Sequence, residues 1–184
     1  MKIQELIEKC KKKDLHAQME VYKLYKDALY NACWRIFKNK YDAEDAVHDA
    51  FIKGFNKIHL VNNQTNLGAW LKRIAVNHSI DIIRKRNEFW LEETAVHEQI
   101  VEEKPFDFES ITIDKIKDCM DSLKKKYRII LILYLIENYT HREISDQLNI
   151  KESTVRNQYR RGKAMLAEVL KKKHHYEFKK TYTG

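Results

Sequence analysis

Apolar residues recur every three or four positions along most of the chain, which is the spacing of amphipathic helices. The clearest case is the segment 21–37, where apolar side chains keep this spacing for several turns. The same spacing predicts a short helix over 3–10, a helix that Asp42 caps, and a fourth helix that begins near residue 66. Four such helices are enough to close a small bundle.

The second half of the chain contains a run that is apolar on every side, Arg128 to Ile136. A helix without a polar face is buried, so this run predicts the central helix of a second domain. A short amphipathic helix, from about residue 111, precedes it.

The segment 139–163 that follows has the pattern of a helix-turn-helix. Thr140 and Glu143 have the spacing of a capping box at the start of its first helix. Asn149 suits the chain reversal after Leu148. A second helix then begins near Lys151, and its inward face is predicted to hold Val155, Tyr159, Gly162 and Leu166.

The outward face of this second helix carries side chains that bond phosphates and base edges. The candidate residues for duplex DNA are Lys151, Ser153, Thr154, Arg156, Asn157 and Arg160. The alternative is that the segment is only a solvated amphipathic hairpin.

The fourth predicted helix carries a second candidate surface. Trp70, Arg73, Asn77, Asp81 and Arg84 recur at three- and four-residue intervals and therefore share one face. An aromatic ring, an amide and cations on one face suit the binding of unstacked bases. The alternative is that the tryptophan belongs to the core, the aspartate pairs with a neighbouring cation, and the basic residues are merely solvated.

Composition and charge support a helical protein with two modules. Four glycines and one proline in 184 residues favour helices over sheets. Residues 1–90 carry a charge balance of +6, residues 91–109 a balance of −6, and residues 110–184 a balance of +8. Two basic halves around an acidic strip indicate two modules that face nucleic acid, joined by a linker. The basic, aromatic residues from Lys171 onward lack periodicity and predict a frayed tail.

Several other classes of protein are excluded or disfavoured. The three cysteines are far apart and lack metal-ligand spacing, so buried reduced thiols are expected, without a disulfide framework or a zinc site. Catalytic residues, metals and cofactors are not predicted, because phosphate-loop, hydrolase and metalloprotease motifs do not occur. Membrane spans and signal peptides are not predicted either, and a cytoplasmic location is expected.

Three segments in order resemble those of the extracytoplasmic-function type of bacterial RNA polymerase sigma factor. They are YDAEDAVHDAFIKGF, LGAWLKRIAVNHSIDIIRKR and LKKKYRIILILYLIENYTHREISDQLNIKESTVRNQYRRGKAML, and the resemblance covers about residues 5–170. It implies an all-α protein with a region-two four-helix bundle over 1–90, an acidic linker over 91–109, a region-four helix-turn-helix domain over 110–175, and a basic tail over 176–184.

The same resemblance implies roles for the matched positions. The residues implied to contact the clamp of the polymerase's largest subunit are Asp45, His48, Asp49 and Phe51. Those implied to melt and hold the promoter −10 element are Asn62, Asn63, Trp70, Arg73, Asn77, Arg84 and Lys85. The helix 151–163 is similar to the one that binds the −35 element, and the apolar second domain would meet the flap of the second-largest subunit. The linker would occupy the RNA path inside the polymerase.

Some positions depart from the family's usual pattern. His48 stands in place of Gln, Lys151 in place of a capping Ser, and Ser145 in place of Ala, while Arg161 and Gly162 replace a Ser/Ala pair. The implied function is a sigma factor that binds core RNA polymerase and directs promoter opening, with an anti-sigma factor as a possible partner. Two rivals are a helix-turn-helix repressor that acts without polymerase and a basic helical adaptor protein.

Overall fold

The structure is a computed structural model that describes residues 3–62, 64–86 and 113–182, with side chains from residue 116 to 172 in the last range. The described residues contain helices and no β-strand, which confirms the all-α prediction. They fall into two units, residues 3–86 and 113–182. The predicted linker over 91–109 and Asn63 lie outside the described residues.

The first unit is the predicted four-helix bundle. Its helices are α1 (Ile3–Lys11), α2 (Leu15–Phe37), α3 (Lys40–Asn56) and α4 (Leu67–Lys85), with a short 3₁₀ turn at Ile58–Leu60. Helix α4 packs on both α2 and α3. Its buried face is therefore wide: Val76, Ile80 and Ile83 are buried, and Ile74 and Ile82 are half-buried.

The cap of α3 differs from the prediction. Asn39 is the N-cap, and its side-chain oxygen accepts hydrogen bonds from the backbone N–H groups of Tyr41 (2.9 Å) and Asp42 (3.2 Å). The prediction of Asp42 as the cap was wrong, because the chain already turns at Lys38, whose φ of 56° ends α2. Asp42 lies in the first turn of α3, where a carboxylate also suits the helix dipole.

Two glycines allow the helices of this bundle to pack closely. A Cβ atom on Gly54 would lie 2.6 Å from Cδ2 of Leu71, and one on Gly68 would lie 2.7 Å from the ring of Tyr25. Real Cβ atoms do not come this close to other side chains, so α3 packs on α4, and α4 on α2, with no room for a side chain at either glycine.

The second unit is built around a helix that packs on the last one. Its elements are α5 (Ile113–Asp121), α6 (Lys125–Leu131) with a π-helical turn at Ile132–Ile136, α7 (His141–Leu148) and α8 (Glu152–Tyr182). Ile129 to Leu133 are buried, which confirms the predicted central helix. The prediction was wrong for Leu135, which is 45% exposed because the run reaches the surface before the chain turns at Asn138.

Helix α8 is longer than the sequence pattern indicated. The frayed tail that was predicted from Lys171 is helical as far as Tyr182. That segment contains no proline or glycine, and adding residues to an existing helix costs far less than starting one. The segment from Lys171 lacks apolar periodicity, and that signal detects only helices with an apolar face.

The thiols are buried, as predicted. Cys10, Cys33 and Cys119 are free and buried. Burial, with a contribution from Asp14, raises the pKa of Cys10 to about 11, so this thiol is unreactive at neutral pH. Within the described residues, no helix is both long and apolar enough to cross a membrane.

We predict that Gly54→Ala destabilises the first unit by about 1–3 kcal/mol, because the new methyl group must displace the fully buried Leu71 side chain. The three tryptophans of the chain are residues 34, 70 and 90, so urea unfolding followed by tryptophan fluorescence reports on this part of the chain. Asn56→Ala, at an exposed position of the same helix, is the control and should shift the transition little. Equal stability of the Gly54 variant and wild type would contradict the close packing.

Candidate functional sites

The helix-turn-helix of the second unit is closed by local hydrogen bonds. The capping box is present: the Glu143 N–H donates to Oγ1 of Thr140 (3.2 Å), and the Thr140 N–H donates to Oε2 of Glu143 (2.8 Å). Helix α7 ends at Asn149, whose φ of 55° places it in the left-handed region. Both features were predicted from the sequence.

Two residues that depart from the usual family pattern have structural roles in this motif. The Ser145 hydroxyl donates to the Ile150 carbonyl (2.6 Å) and so closes the turn. Gly162 lets α8 approach α6, because a Cβ there would lie 3.2 Å from Cβ of Tyr127 and from Cδ1 of Leu131. The Lys151 carbonyl accepts the Val155 N–H, which makes the first turn of α8 without a side-chain cap from the lysine.

The outward face of α8 is accessible over its first three turns. The exposed candidates are Lys151, Ser153, Arg156 and Arg160, and the half-buried ones are Thr154 and Asn157. On the inner side, Val155 and Leu166 are fully buried, as predicted. Gln158 is also buried, which the pattern missed because a glutamine gives no apolar signal.

The arginines of this face are held by contacts within the helix. Arg156 donates through Nε (3.1 Å) and Nη2 (2.6 Å) to Oε1 of Glu152, one turn earlier. This hydrogen bond is the main reason that the pKa of Glu152 is below its usual value. Arg160 donates to Oδ1 of Asn157 (2.6 Å). Exposed pairs of this kind contribute little to stability, and each guanidinium has further donors for a ligand.

An aromatic cluster at the start of α7 supports the helix-turn-helix from inside. The His141 ring stacks on Tyr134, with centroids 4.4 Å apart, and meets Tyr159 edge-on at 5.1 Å. Burial lowers the pKa of His141, and the positive charge of Arg156 lowers it further, although Glu152 acts in the opposite direction. The imidazole is therefore kept neutral near pH 7. The sequence offered no signal for this cluster, because its members come from three separate elements.

The candidate face of α4 is partly accessible. Arg73 is exposed, whereas Trp70 and Asn77 are half-buried. The Trp70 ring reaches α3, since its Cζ3 lies 3.7 Å from the position of a Cβ on Gly54. The Trp70 ring thus packs against α3 and also retains an accessible surface, and its binding of bases stays a prediction.

The loop before α4 is ordered by its own side chains. Oδ1 of Asn62 accepts from the Gln64 N–H (3.0 Å) and from the Thr65 hydroxyl (2.9 Å), which forms a tight turn. The Asn66 side chain accepts from the Ala69 N–H (3.1 Å) and caps α4. These polar residues shape the loop.

The basic end of α4 has two kinds of cation. Arg84 pairs with Asp81 (2.9 Å), which is the simpler structural role considered for that aspartate. Lys85 is exposed. Arg86 makes two 2.9 Å hydrogen bonds to the carboxylate of Asp42, so it ties the end of α4 to the start of α3. The alternative in which the basic residues are merely solvated does not hold for Arg86, whose partner lies 44 positions away in the sequence.

The third candidate surface lies on α3. Asp45, His48 and Asp49 are exposed on its outer side. Phe51 is only 3% exposed and packs on Tyr22, with ring centroids 4.8 Å apart. The Phe51 ring therefore lies beneath this surface and supports the bundle, and its contact with a partner stays a prediction. The stripe that does reach solvent also carries Tyr41 and Ile52.

These polar residues on α3 are held by neighbouring helices. Nε2 of His48 lies 3.3 Å from the Tyr22 hydroxyl on α2. Oδ2 of Asp49 lies 2.8 Å from Nε2 of His78 on α4. His78 thus forms a bridge between two helices, and its partner Asp49 lies 29 positions away in the sequence. Among the described residues, no group of histidines, cysteines and carboxylates could hold a metal ion.

Comparisons with known proteins match two family models to this chain. Residues 21–89 match the family model described as Sigma-70 region 2, and residues 113–166 match the one described as Sigma-70, region 4. The chain is 30% identical to the ECF RNA polymerase sigma factor SigW of Bacillus subtilis, over 93% of this chain and 98% of that protein. It is 30% identical to the ECF RNA polymerase sigma factor SigE of Mycolicibacterium smegmatis, over 83% of this chain and 61% of that protein.

A solved structure has a similar fold. It is the sigma factor RpoE in complex with the anti-sigma factor NepR from Bartonella quintana, with a TM-score of 0.50 and 23% identity. The match covers 83% of this chain and 96% of that chain.

We predict that the second unit loses stability as the pH falls below about 6.5, the ordinary pKa of histidine. Above that value His141 is neutral in both the folded and the unfolded chain. Below it the unfolded chain binds a proton that the folded site resists, so the free energy of unfolding decreases. His141→Phe keeps the stacking and removes the titration. Urea unfolding at pH 7.5 and 5.5, followed by amide NMR signals of α7, should show a smaller loss in this variant. Equal losses in both proteins would contradict the assignment.

Proposed function

The chain belongs to the extracytoplasmic-function RNA polymerase sigma factors, and we propose that it divides the work of this family among three surfaces. As a sigma factor it binds core RNA polymerase and directs promoter recognition for transcription initiation. Members of this family are initiation factors rather than enzymes. The repressor hypothesis is not favoured, because a repressor that acts without polymerase would not need the region 2 domain that this chain contains.

In the second unit, α8 binds the −35 element through its accessible face. The observation that carries this proposal is the capped helix-turn-helix, in which the inner side of α8 is buried and Arg156 and Arg160 are exposed one turn apart. Arginine pairs with guanine edges in the major groove, and lysine, serine and threonine bond phosphates. The face therefore has groups for both base contacts and backbone contacts.

In the first unit, α4 and the preceding loop bind the opened −10 element. Trp70, Arg73 and Asn77 supply an aromatic surface, a cation and an amide within about two turns of one helix. Asn62 extends this surface at one end, and Arg84 and Lys85 extend it at the other. Asn63, which lies outside the described residues, belongs to the same proposed set. Unpaired bases expose both their ring faces and their hydrogen-bonding edges, which are the features that such a surface can bind.

The outer side of α3 docks on the clamp of the polymerase's largest subunit. Asp45, His48 and Asp49 form the polar part of this surface, and Phe51 supports it from below. Complementary charge steers such encounters and fixes their register.

Further proposals are that the second unit meets the flap of the second-largest subunit, that residues 91–109 enter the RNA path, and that the protein works in the cytoplasm, where the polymerase is. An anti-sigma factor, such as the one bound to the similar structure, is a candidate inhibitor.

We predict that Asp45→Lys weakens binding to core polymerase by on the order of tenfold or more, because like charges across an interface are costly. Asp27→Lys, at an exposed site on α2, changes the net charge equally and is the control. Anisotropy of a fluorescently labelled chain titrated with core polymerase measures the affinity. If both variants bind as wild type does, the docking surface is not on this part of α3.

We predict that Arg156→Ala or Arg160→Ala weakens binding to the −35 element by roughly 1–3 kcal/mol and leaves polymerase affinity unchanged. Glu152→Gln breaks the ion pair of Arg156 without removing the arginine, so it should keep or improve promoter binding. Gel-shift titrations of the holoenzyme at moderate salt distinguish these cases. A Glu152 variant as weak as the Arg156 variant would mean that the pair orders the helix and that the arginine does not contact DNA.

We predict that Asn77→Ala reduces open-complex formation by about two- to tenfold, the effect of one lost hydrogen bond, and leaves the closed complex nearly unchanged. Permanganate reactivity of unpaired thymines measures strand opening. A template opened in advance as a mismatched bubble should rescue part of the defect. Trp70→Ala is a poorer test, because its ring also packs on α3. Normal opening by the Asn77 variant would return this face to a solvated helix surface.

A further inference from the structure

His78 forms a bridge between the two proposed surfaces of the first unit. Its imidazole Nε2 lies 2.8 Å from Oδ2 of Asp49 on α3, and its Nδ1 lies within hydrogen-bonding distance of Nζ of Lys53, one turn further along. The His78 side chain is 12% exposed, whereas that of Asp49 is 54% exposed. A nearly buried ring thus holds a carboxylate that faces solvent.

The two partners determine which ring nitrogen carries the proton. The Lys53 ammonium has only hydrogen-bond donors, so Nδ1 of His78 must accept. Nε2 then bears the hydrogen and donates to Asp49. The arrangement therefore uses the imidazole in the Nε2–H form, with both nitrogens satisfied.

This bridge differs from an ordinary surface ion pair because of the elements that it joins. Asp49 belongs to the proposed polymerase surface, and His78 directly follows Asn77, which belongs to the proposed strand-opening face. The same two helices also meet at Gly54 and at the Asp42–Arg86 pair. The His78 contact is the one that acts on a carboxylate proposed to touch the partner.

We propose that His78 is a positioning residue for polymerase docking: its imidazole holds the Asp49 carboxylate in the orientation that the clamp binds. This proposal rests on the proposed function of α3, which is to dock on the clamp of the polymerase. An exposed aspartate samples several rotamers, and ordering it during binding costs free energy. With His78 in place, that ordering is already present before the polymerase arrives.

A purely structural role for His78, as a clip between α3 and α4, is the main competing explanation. A clip would alter the stability of the first unit, and its loss would weaken docking whether or not Asp49 is present. A positioning residue acts through Asp49, so its loss should have no further effect once Asp49 is gone. A double-mutant cycle distinguishes the two roles.

The test measures core-polymerase affinity by anisotropy for wild type, Asp49→Ala, His78→Leu and the double variant. We expect His78→Leu to weaken binding about two- to tenfold, which is the cost of ordering one side chain. In the Asp49→Ala background the same substitution should change binding less than twofold. His78→Gln, which keeps a donor and an acceptor at similar reach, should restore at least part of the affinity.

Two results would overturn the proposal: wild-type affinity of His78→Leu, or an equal loss with and without Asp49. A second readout requires no variant and no polymerase, since long-range ¹H–¹⁵N NMR spectra of the wild-type chain should show His78 protonated at Nε2, and an Nδ1–H form would also overturn it. Asp45→Lys distinguishes a failure of the proposed His78 role from a failure of the proposed α3 surface. If it weakens docking while His78→Leu does not, the α3 surface stands and the His78 role fails. If neither variant nor Asp49→Ala affects docking, the proposed surface itself is wrong.

Discussion

The close contact between α3 and α4 is the constraint on which the first unit depends. Gly54 leaves room for the buried Leu71 side chain, and two polar pairs join the helices further toward the start of α3, Asp49 with His78 and Asp42 with Arg86. Because packed interiors deform little, two helices joined in this way move as one body. The proposed polymerase surface on α3 and the proposed strand-opening face on α4 therefore keep a fixed relation to each other. Such rigidity suits a protein with two proposed binding surfaces on one helical bundle.

The second unit exposes one face of helix α8 while it packs the opposite face. Gly162 lets α8 lie close to α6, and the ring of His141 packs between Tyr134 and Tyr159 beneath the turn. The bonds of Thr140, Glu143 and Ser145 then fix the short α7 and the turn that follows it. As a result, the arginines of α8 are exposed on a helix whose inner side is fully packed. Their pairing with Glu152 and Asn157 keeps them ordered while leaving donors for DNA.

The sequence predicted what depends on nearby residues and missed what depends on distant ones. Helix positions and the capping box at Thr140 follow from spacing of four residues or fewer, and they were predicted. The partnership of Asp42 with Arg86 and that of Asp49 with His78 join residues 44 and 29 positions apart, so no local pattern contains them. Phe51 was assigned to a surface because the family motif contains it, whereas its burial depends on Tyr22 in another helix. The helical extension of α8 was missed because its sequence carries no apolar periodicity.

We infer that this protein recognises promoters only together with core polymerase, through two separate surfaces. Hydroxyl-radical footprinting on promoter fragments, with and without core polymerase, tests it most directly when permanganate probing is done on the same samples. We expect no specific footprint for the chain alone. With core polymerase we expect protection at both the −35 and −10 elements and reactive thymines at the −10 element. A footprint at one site that forms without polymerase and does not change when polymerase is added would contradict it.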